Sequence, residues 1–399
     1  MNMHVPASPS PAGVVADGVS LVRDHDGLLA LRTDWLRLEA APADNGAPFF
    51  QSFEWIAHVA RVRLARDPSF RILVAVLREG GRVRAIWPLA LMRQGGLSLV
   101  QNLDDPFGQF AGLLAEPDVN QPDFIAATCR AVAPMADGLR IAHVPSVSSL
   151  KLGLVAAGGE VSETVDTVFV DMRGFESFEQ YQKTQGAKTR KILRNMRNRL
   201  ERERALRHDT GPEPEVVRVA VDLAFAERLA WTKRNGRLSP AFQAASFGEM
   251  IRGLPASNVT VHGFVLRSGE AIASTHFGFA HGDKFYSYMT GLNPDFAEFS
   301  AGRLHLGSVL QACFDAGLKQ VELMPPASRY KLEWRANTRP LDTVVLPLTL
   351  KGRVLLFLGG RLMPWLRRVS RLLPEGLRRR LVNLLNRNAE PAPPPGEAH

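Results

Sequence analysis

Apolar residues recur at helical spacing over 26–40, where Leu28, Leu31, Trp35 and Leu38 share one face, and again over 51–65 through Phe53, Ile56, Val59 and Val62. The period then shortens to that of strands. RILVAVLR, the turn Glu79-Gly80-Gly81 and VRAIWPLALMR read as a β-hairpin. LSLVQN and FAGLLA are further strand candidates, 122–134 a helix, LRIAHV a strand, 148–157 a short helix and VSETVDTVFVDM extended chain. Beyond Phe175 the pattern turns helical again. SFEQYQKTQGAKTRKILRNMRNRLERERALR predicts one long or broken helix, AVDLAFAERLAWTKRNG a second and 241–252 a third. The strands NVTVHGFVLR, AIASTHFGFA and KFYSYMTG follow, joined at Ser268-Gly269 and Gly282-Asp283. A helix over 303–316, a strand over 319–323 and a last strand TVVLPLTL complete the pattern.

The order of helices, then long strands, then a helix and a strand occurs twice, without a residue-level repeat. It predicts an α/β (α+β) protein with mixed, mostly antiparallel sheets flanked by helices. A chain of 399 residues suits two domains. The expected division is a disordered Pro/Ala/Ser-rich tail over 1–17, domains over 18–172 and 173–350, basic amphipathic helices over 351–388 and a disordered tail over 389–399. The N-terminus has neither a basic nor an apolar leader region, and no long uncharged apolar run occurs, so a cytoplasmic protein is expected. Cys129 and Cys313 sit in apolar helical patterns and read as small buried hydrophobes, with no spacing for zinc or another metal.

The net charge of +9 is local. Residues 351–388 hold ten basic side chains against Glu375 alone, so that segment accounts for the whole excess and the remainder is neutral. Its Leu, Phe and Trp alternate with arginine, interrupted by Pro364 and Pro374, which predicts helices lying on an anionic membrane surface or packing on the body with their arginines in water. A second concentration, ten basic residues against two acids, runs from Lys183 to Arg207. It suits phosphates of a cofactor, a polyanionic acceptor, tRNA, or simply solvent.

The candidate site lies between Lys284 and Lys331. Ser300-Ala301-Gly302-Arg303 joins a loop to a helix, with Ser300 placed to cap it and Gly302 allowing close approach. The amides and dipole of such a helix start attract phosphate, so a phosphate-bearing cofactor is expected on Ser300, Ala301, Gly302, Arg303 and Leu304. Glu322, on the next strand, is a candidate base or a solvated carboxylate. His276, in mid-strand at the parity of Ser274, is a candidate base or a packing residue. Tyr288 flanks the expected cofactor and is a candidate proton donor. Tyr330 and Lys331 follow the last strand, where Lys331 suits a phosphate or a carbonyl.

The order of elements over 259–331 resembles the core of the GNAT acyltransferases. The basic helix 188–204, the SAGRLHLGSVLQACFDAGLKQVEL segment and the closing Tyr330-Lys331-x-x-Trp334 more narrowly resemble the CelD/BcsL-like family, related to the FemAB transferases. The resemblance is good over 175–335. It implies two GNAT-like folds in one chain, the first degenerate, and an acyl-CoA held where two strands splay apart, with its pyrophosphate on the loop amides. The GNAT loop pattern is Arg/Gln-x-x-Gly-x-Gly/Ala; here one glycine is kept and Leu304 stands where a small residue is usual. The implied function is N- or O-acyl transfer from acetyl-CoA or another acyl-CoA to a saccharide or cell-envelope precursor, in exopolysaccharide or cellulose biosynthesis, at the inner face of the cytoplasmic membrane. The rivals are a FemAB-type transferase using aminoacyl-tRNA and a non-catalytic scaffold at the membrane surface.

Overall fold

The computed structural model describes residues 18–40, 48–203, 205–236, 239–354 and 356. The expected tails over 1–17 and 389–399, and the basic helices beyond Leu356, lie outside the described residues; residues 351–354 are helical. The protein is a mixed α/β structure in two compact units. Unit 1 holds the chain up to Thr164 and then residues from Asp342, and unit 2 holds Val165–Leu341. Sequence placed the first division after residue 172 and the second after 350. The units instead divide inside two long strands, which a reading based on loops cannot detect.

In unit 1 the chain runs β1 (Val19–Val22), α1 (His25–Ala30), α2 (Arg32–Glu39), α3 (Phe53–Arg66), β2 (Arg71–Glu79), β3 (Arg82–Gln94), β4 (Leu97–Asn102), β5 (Leu114–Ala115), α4 (Gln121–Val132), β6 (Gly138–Pro145) and α5 (Ser149–Ala156). β1 through β4 pair antiparallel in sequence order. β6 then pairs parallel with β4, Leu99 and Val100 standing opposite Gly138 and Leu139. Ala85, Trp87 and Leu89 of β3 enter the core on alternate positions, against Ile125, Leu139 and Ile141. FAGLLA yields only the two-residue β5, because the amide of Ala111 is already bound to the carbonyl of His143.

β7 (Glu160–Asp171) leads into unit 2, which continues through α6 (Phe178–Lys183), α7 (Ala187–Glu203), β8 (Leu206–Gly211), α8 (Pro214–Arg234), α9 (Pro240–Gln243), α10 (Phe247–Arg252), β9 (Val261–Ser268), β10 (Ala271–His281), β11 (Lys284–Leu292), α11 (Ala301–Asp315), β12 (Gln320–Glu322) and α12 (Arg329–Leu332). β13 (Asn337–Pro347) carries the chain back to unit 1. The sheet order in unit 2 is β7-β12-β11-β10-β9-β8. The helix expected to reach Arg207 ends at Glu203, because Leu206–Gly211 pair with β9 as an edge strand. α8 lies close on the sheet at two glycines. A Cβ on Gly263 would meet the Val216 carbonyl at 2.8 Å, and one on Gly291 the Ala224 Cα at 2.7 Å. α11 packs with β7, β9 and β11 in a second cluster through Val309, Leu310, Cys313, Phe264 and Phe285, closed by Trp334.

Candidate functional site

The site begins with a disagreement between two strands. β11 and β12 pair parallel only over Lys284–Tyr286 and Gln320–Glu322. The chain after β12 stays with β7, the Leu323 amide donating to the Val168 carbonyl at 2.7 Å. β11 leaves it. Its register with β10 shifts between Phe277 and Gly278, so Tyr288 is an extra residue in a β-bulge. Bulges bend and twist the strand that carries them. Among the described residues no strand pairs with the far edge of β11 beyond Tyr286. Backbone from Ser287 to Leu292 therefore has no strand partner on that side among the described residues.

α11 starts at the end of that unpaired edge, Gly302 lying against Leu292. Ser300 stands at its N-cap with φ 50° and ψ 41°, a left-handed conformation, and its hydroxyl makes no cap hydrogen bond. The expected side-chain cap is thus absent, because a side chain leaving left-handed backbone is turned from the first-turn amides. The Ser300 carbonyl accepts from the amide of Arg303 at 2.9 Å. The amides of Ala301 and Gly302 have no acceptor within the helix. In unit 1, by contrast, α4 begins under Asn120 and α5 under Ser148, whose side chains each accept a first-turn amide.

The remaining loop residues are committed to packing. Ala301 and Leu304 are buried beside Phe296, Phe299 and Leu200, so only their backbone can meet a ligand. A Cβ on Gly302 would lie 2.5 Å from Leu292 Cδ2, so the glycine admits the end of β11 against the helix start. Arg303 is ion-paired with Glu333, tying the loop to the end of α12 instead of pointing at a ligand.

Glu322 is fully buried on β12. Its Oε1 accepts from Gln320 Nε2 at 2.6 Å and is ion-paired with Arg339. The carboxylate thus faces a guanidinium in the interior and not solvent. His276 is also buried, with Nε2 2.9 Å from Ser287 Oγ and Nδ1 3.0 Å from Thr290 Oγ1. Burial pushes its imidazole down to about 4, so it is neutral at ordinary pH. His305, on α11, lies 6.2 Å away between ring centroids and puts Nδ1 2.9 Å from Ser274 Oγ. Burial and the neighbouring His276 and His208 hold it well below the usual range.

Tyr288 is half-buried, its ring 5.1 Å from that of Phe279 and 5.8 Å from that of Phe277. Lys331 is buried, and its Nζ donates to the carbonyls of Met324 at 2.7 Å and Pro326 at 3.0 Å. Burial, then the charge of Arg228, lower it to about 8. Tyr330, beside it, is 45% exposed. The structure therefore gathers the loop and α12 through the Arg303–Glu333 pair, and joins His276 to the bulged strand. Glu322 lies where β11 and β12 are still paired.

Sequence reasoning missed His305, Ser274, Ser287, Thr290 and Arg339. Cross-strand register was the missing signal: Thr290 stands directly opposite His276. Among the described residues no cluster suits a metal ion, and no helix is long and apolar enough to cross a membrane.

An edge of free backbone beside uncapped amides suits a ligand with an amide-bearing arm and a phosphate. Comparison with known proteins bears on the domain and its fold. Residues 187–332 match the family model of the acetyltransferase (GNAT) domain. The chain's fold is similar to that of FemX, with 10% identity, 80% of this chain and 96% of that one covered and a TM-score of 0.52. It is likewise similar to the C-terminal domain of a putative lysylphosphatidylglycerol synthetase from Agrobacterium fabrum, with 14% identity, 84% and 95% covered and a TM-score of 0.53. A conserved protein of unknown function from Bacteroides thetaiotaomicron gives 13% identity, 80% and 97% covered and a TM-score of 0.53. No curated protein matches by sequence.

Proposed function

We propose that this transferase, with its GNAT domain over 187–332, moves an acyl group from acetyl-CoA or another acyl-CoA to an amine or hydroxyl of a saccharide or other cell-envelope precursor. The observation that carries the reading is the uncapped start of α11 beside the unpaired edge of β11. The amides of Ala301 and Gly302 would hold the pyrophosphate, and the Ser287–Leu292 backbone the pantetheine arm. The donor carbonyl then lies by the bulge.

Tyr288, on the bulge, and the exposed Tyr330 are the candidates to protonate a departing thiolate. His276 already has a hydroxyl on each nitrogen and acts as a positioning residue for Ser287 and Thr290. Glu322 belongs to the ion pair that fixes β12. The test is calorimetric titration of acetyl-CoA, with Gly302→Asp placing a carboxylate at the anion site. Binding to the native chain that weakens at least about tenfold in the variant supports the reading.

A second donor class, aminoacyl-tRNA, is favoured by the cations of α7, of which Arg199 alone forms an ion pair among the described residues. Charged tRNA binding without acetyl-CoA binding would select it. The segment 351–388 would hold either enzyme on the inner face of the membrane. Equal co-sedimentation of the native chain and a chain ending at 350 with anionic vesicles would remove that placement.

A further inference from the structure

The cations of α7 are not spread evenly over a cavity beside it. A space of about 190 Å³ between α6, α7 and α11 is lined by Arg190, Arg194 and Arg197 on the cationic side. These stand at i, i+4 and i+7, one face of a helix. Leu193, Leu304, Gly307 and Trp334 form its apolar lining, and no acid lines it. None of the three arginines has an ion-pair partner among the described residues.

The lining is built to stay in place. A Cβ on Gly307 would lie 2.6 Å from Trp334 Cη2, so the indole sits directly against α11. The Tyr181 hydroxyl donates to the Trp334 carbonyl and pins α6 to the same residue. Gln185 also lines the cavity. It is 3% exposed, and its amide Nε2 lies by the Tyr181 hydroxyl without a well-formed hydrogen bond. A buried donor without an acceptor is costly, and an acceptor arriving in the cavity relieves that cost.

α7 itself is built against its own stability. Lys188, Arg190 and Lys191 open the helix with no acid in the first turn, at the positive end of its dipole. Like charges at i, i+4 and i, i+3 repel as well. A bound anion answers all of these at once. Arginine forks match phosphate oxygens in pairs. The volume is below the range that takes a whole drug-sized ligand, so the cavity receives a group and not a molecule. Leu304 lines it while residues 300–303 do not, and Arg303 is paired with Glu333, so the cavity adjoins the helix start assigned to the donor pyrophosphate.

We infer that Arg190, Arg194, Arg197 and Gln185 form a phosphate-binding subsite between α7 and α11 that takes a phosphoryl group of the transferase's substrate. The inference rests on the transferase reading only for which molecule carries that group. Anion binding itself is measured without activity.

The probe is inorganic pyrophosphate, titrated by calorimetry into the full chain. Arg190→Ala, Arg194→Ala and Arg197→Ala, all at exposed positions, each weaken binding about tenfold. Lys188→Ala, on the same helix but outside the cavity, stays within about twofold. Arginine-dependent pyrophosphate binding that acetyl-CoA displaces assigns the phosphoryl group to the donor; arginine-dependent binding that persists beside acetyl-CoA assigns it to the acceptor. The inference is overturned if the native chain fails to bind pyrophosphate at millimolar concentration. It is equally overturned if Lys188→Ala costs as much as Arg194→Ala, or if none of the three arginine variants weakens binding. An absent acetyl-CoA response beside an arginine-dependent pyrophosphate response would refute the acyl-CoA reading and leave the subsite standing.

Discussion

Glu322 and His276, which sequence marks as bases, are both buried; His276 has a hydroxyl at each nitrogen, and Glu322 is held through Oε1. Removing one partner of a buried pair leaves the other charge uncompensated, at a cost of roughly 3–5 kcal/mol. Glu322→Ala is therefore expected to destabilise unit 2 by about that much in urea denaturation, with Glu322→Gln costing less. A fully folded Glu322→Ala protein with lost turnover would instead make Glu322 a catalytic base. Their chemistry was legible in the sequence; their engagement was not. Arg339 lies seventeen positions from Glu322 and Thr290 fourteen from His276, and only the register of the sheet brings them together.

At the scale of elements, most helices and the long strands follow from periodicity, because each buries one face or both. β2 and β3 read as apolar runs since their middles, residues 72–76 and 85–90, are buried on both faces. β8 escaped notice because LRHDTG is a mostly exposed edge strand with no apolar alternation. The bulge at Tyr288 is invisible for the same physical reason that register is: it exists only in the pairing with β10.

Glycines separate packing from conformation at this scale. Gly307→Ala is expected to cost about 1–3 kcal/mol, since its methyl meets the rigid Trp334 indole. Gly302→Ala meets the end of Leu292, a flexible side chain 47% exposed, and should lower the melting temperature far less. Thermal melts of the two variants test the difference. A larger loss at Gly302 would show that the helix start, and not the Trp334 contact, bears the tighter fit.

For the whole molecule, pH acts in opposite senses on the two units. In unit 2, His276 has a folded value of about 4, below its ordinary 6.5. The unfolded chain binds the extra proton between those values, so this residue's contribution to stability, on the order of 3 kcal/mol, is lost as pH falls below 6.5. In unit 1, the Asp104 carboxyl is buried, accepts from Trp55 Nε1 at 2.8 Å and is pushed up to about 7. There the folded state keeps the proton, so stability falls as pH rises from 3.8 through 7. Hydrogen exchange of β10 and of β4, corrected for intrinsic rates, should therefore respond differently across this window. His276→Asn should flatten the first response and Asp104→Asn the second. Unchanged slopes in both variants would contradict the assignment.

The division of the chain into units was only partly legible. Asp342, at the return to unit 1, is ion-paired with Lys151 and accepts from Thr164 and Ser146, contacts no local pattern announces. Strand, turn and helix around the candidate site were legible, as was its resemblance, whereas the uncapped Ser300 and the unpaired edge of β11 required the fold. The most direct measurement is calorimetric titration of acetyl-CoA into the full chain and into its Gly302→Asp variant. The account predicts saturable binding to the native chain, at least about tenfold weaker in a variant that melts at nearly the same temperature. No binding to the native chain at millimolar acetyl-CoA, or equal binding to both, would contradict it.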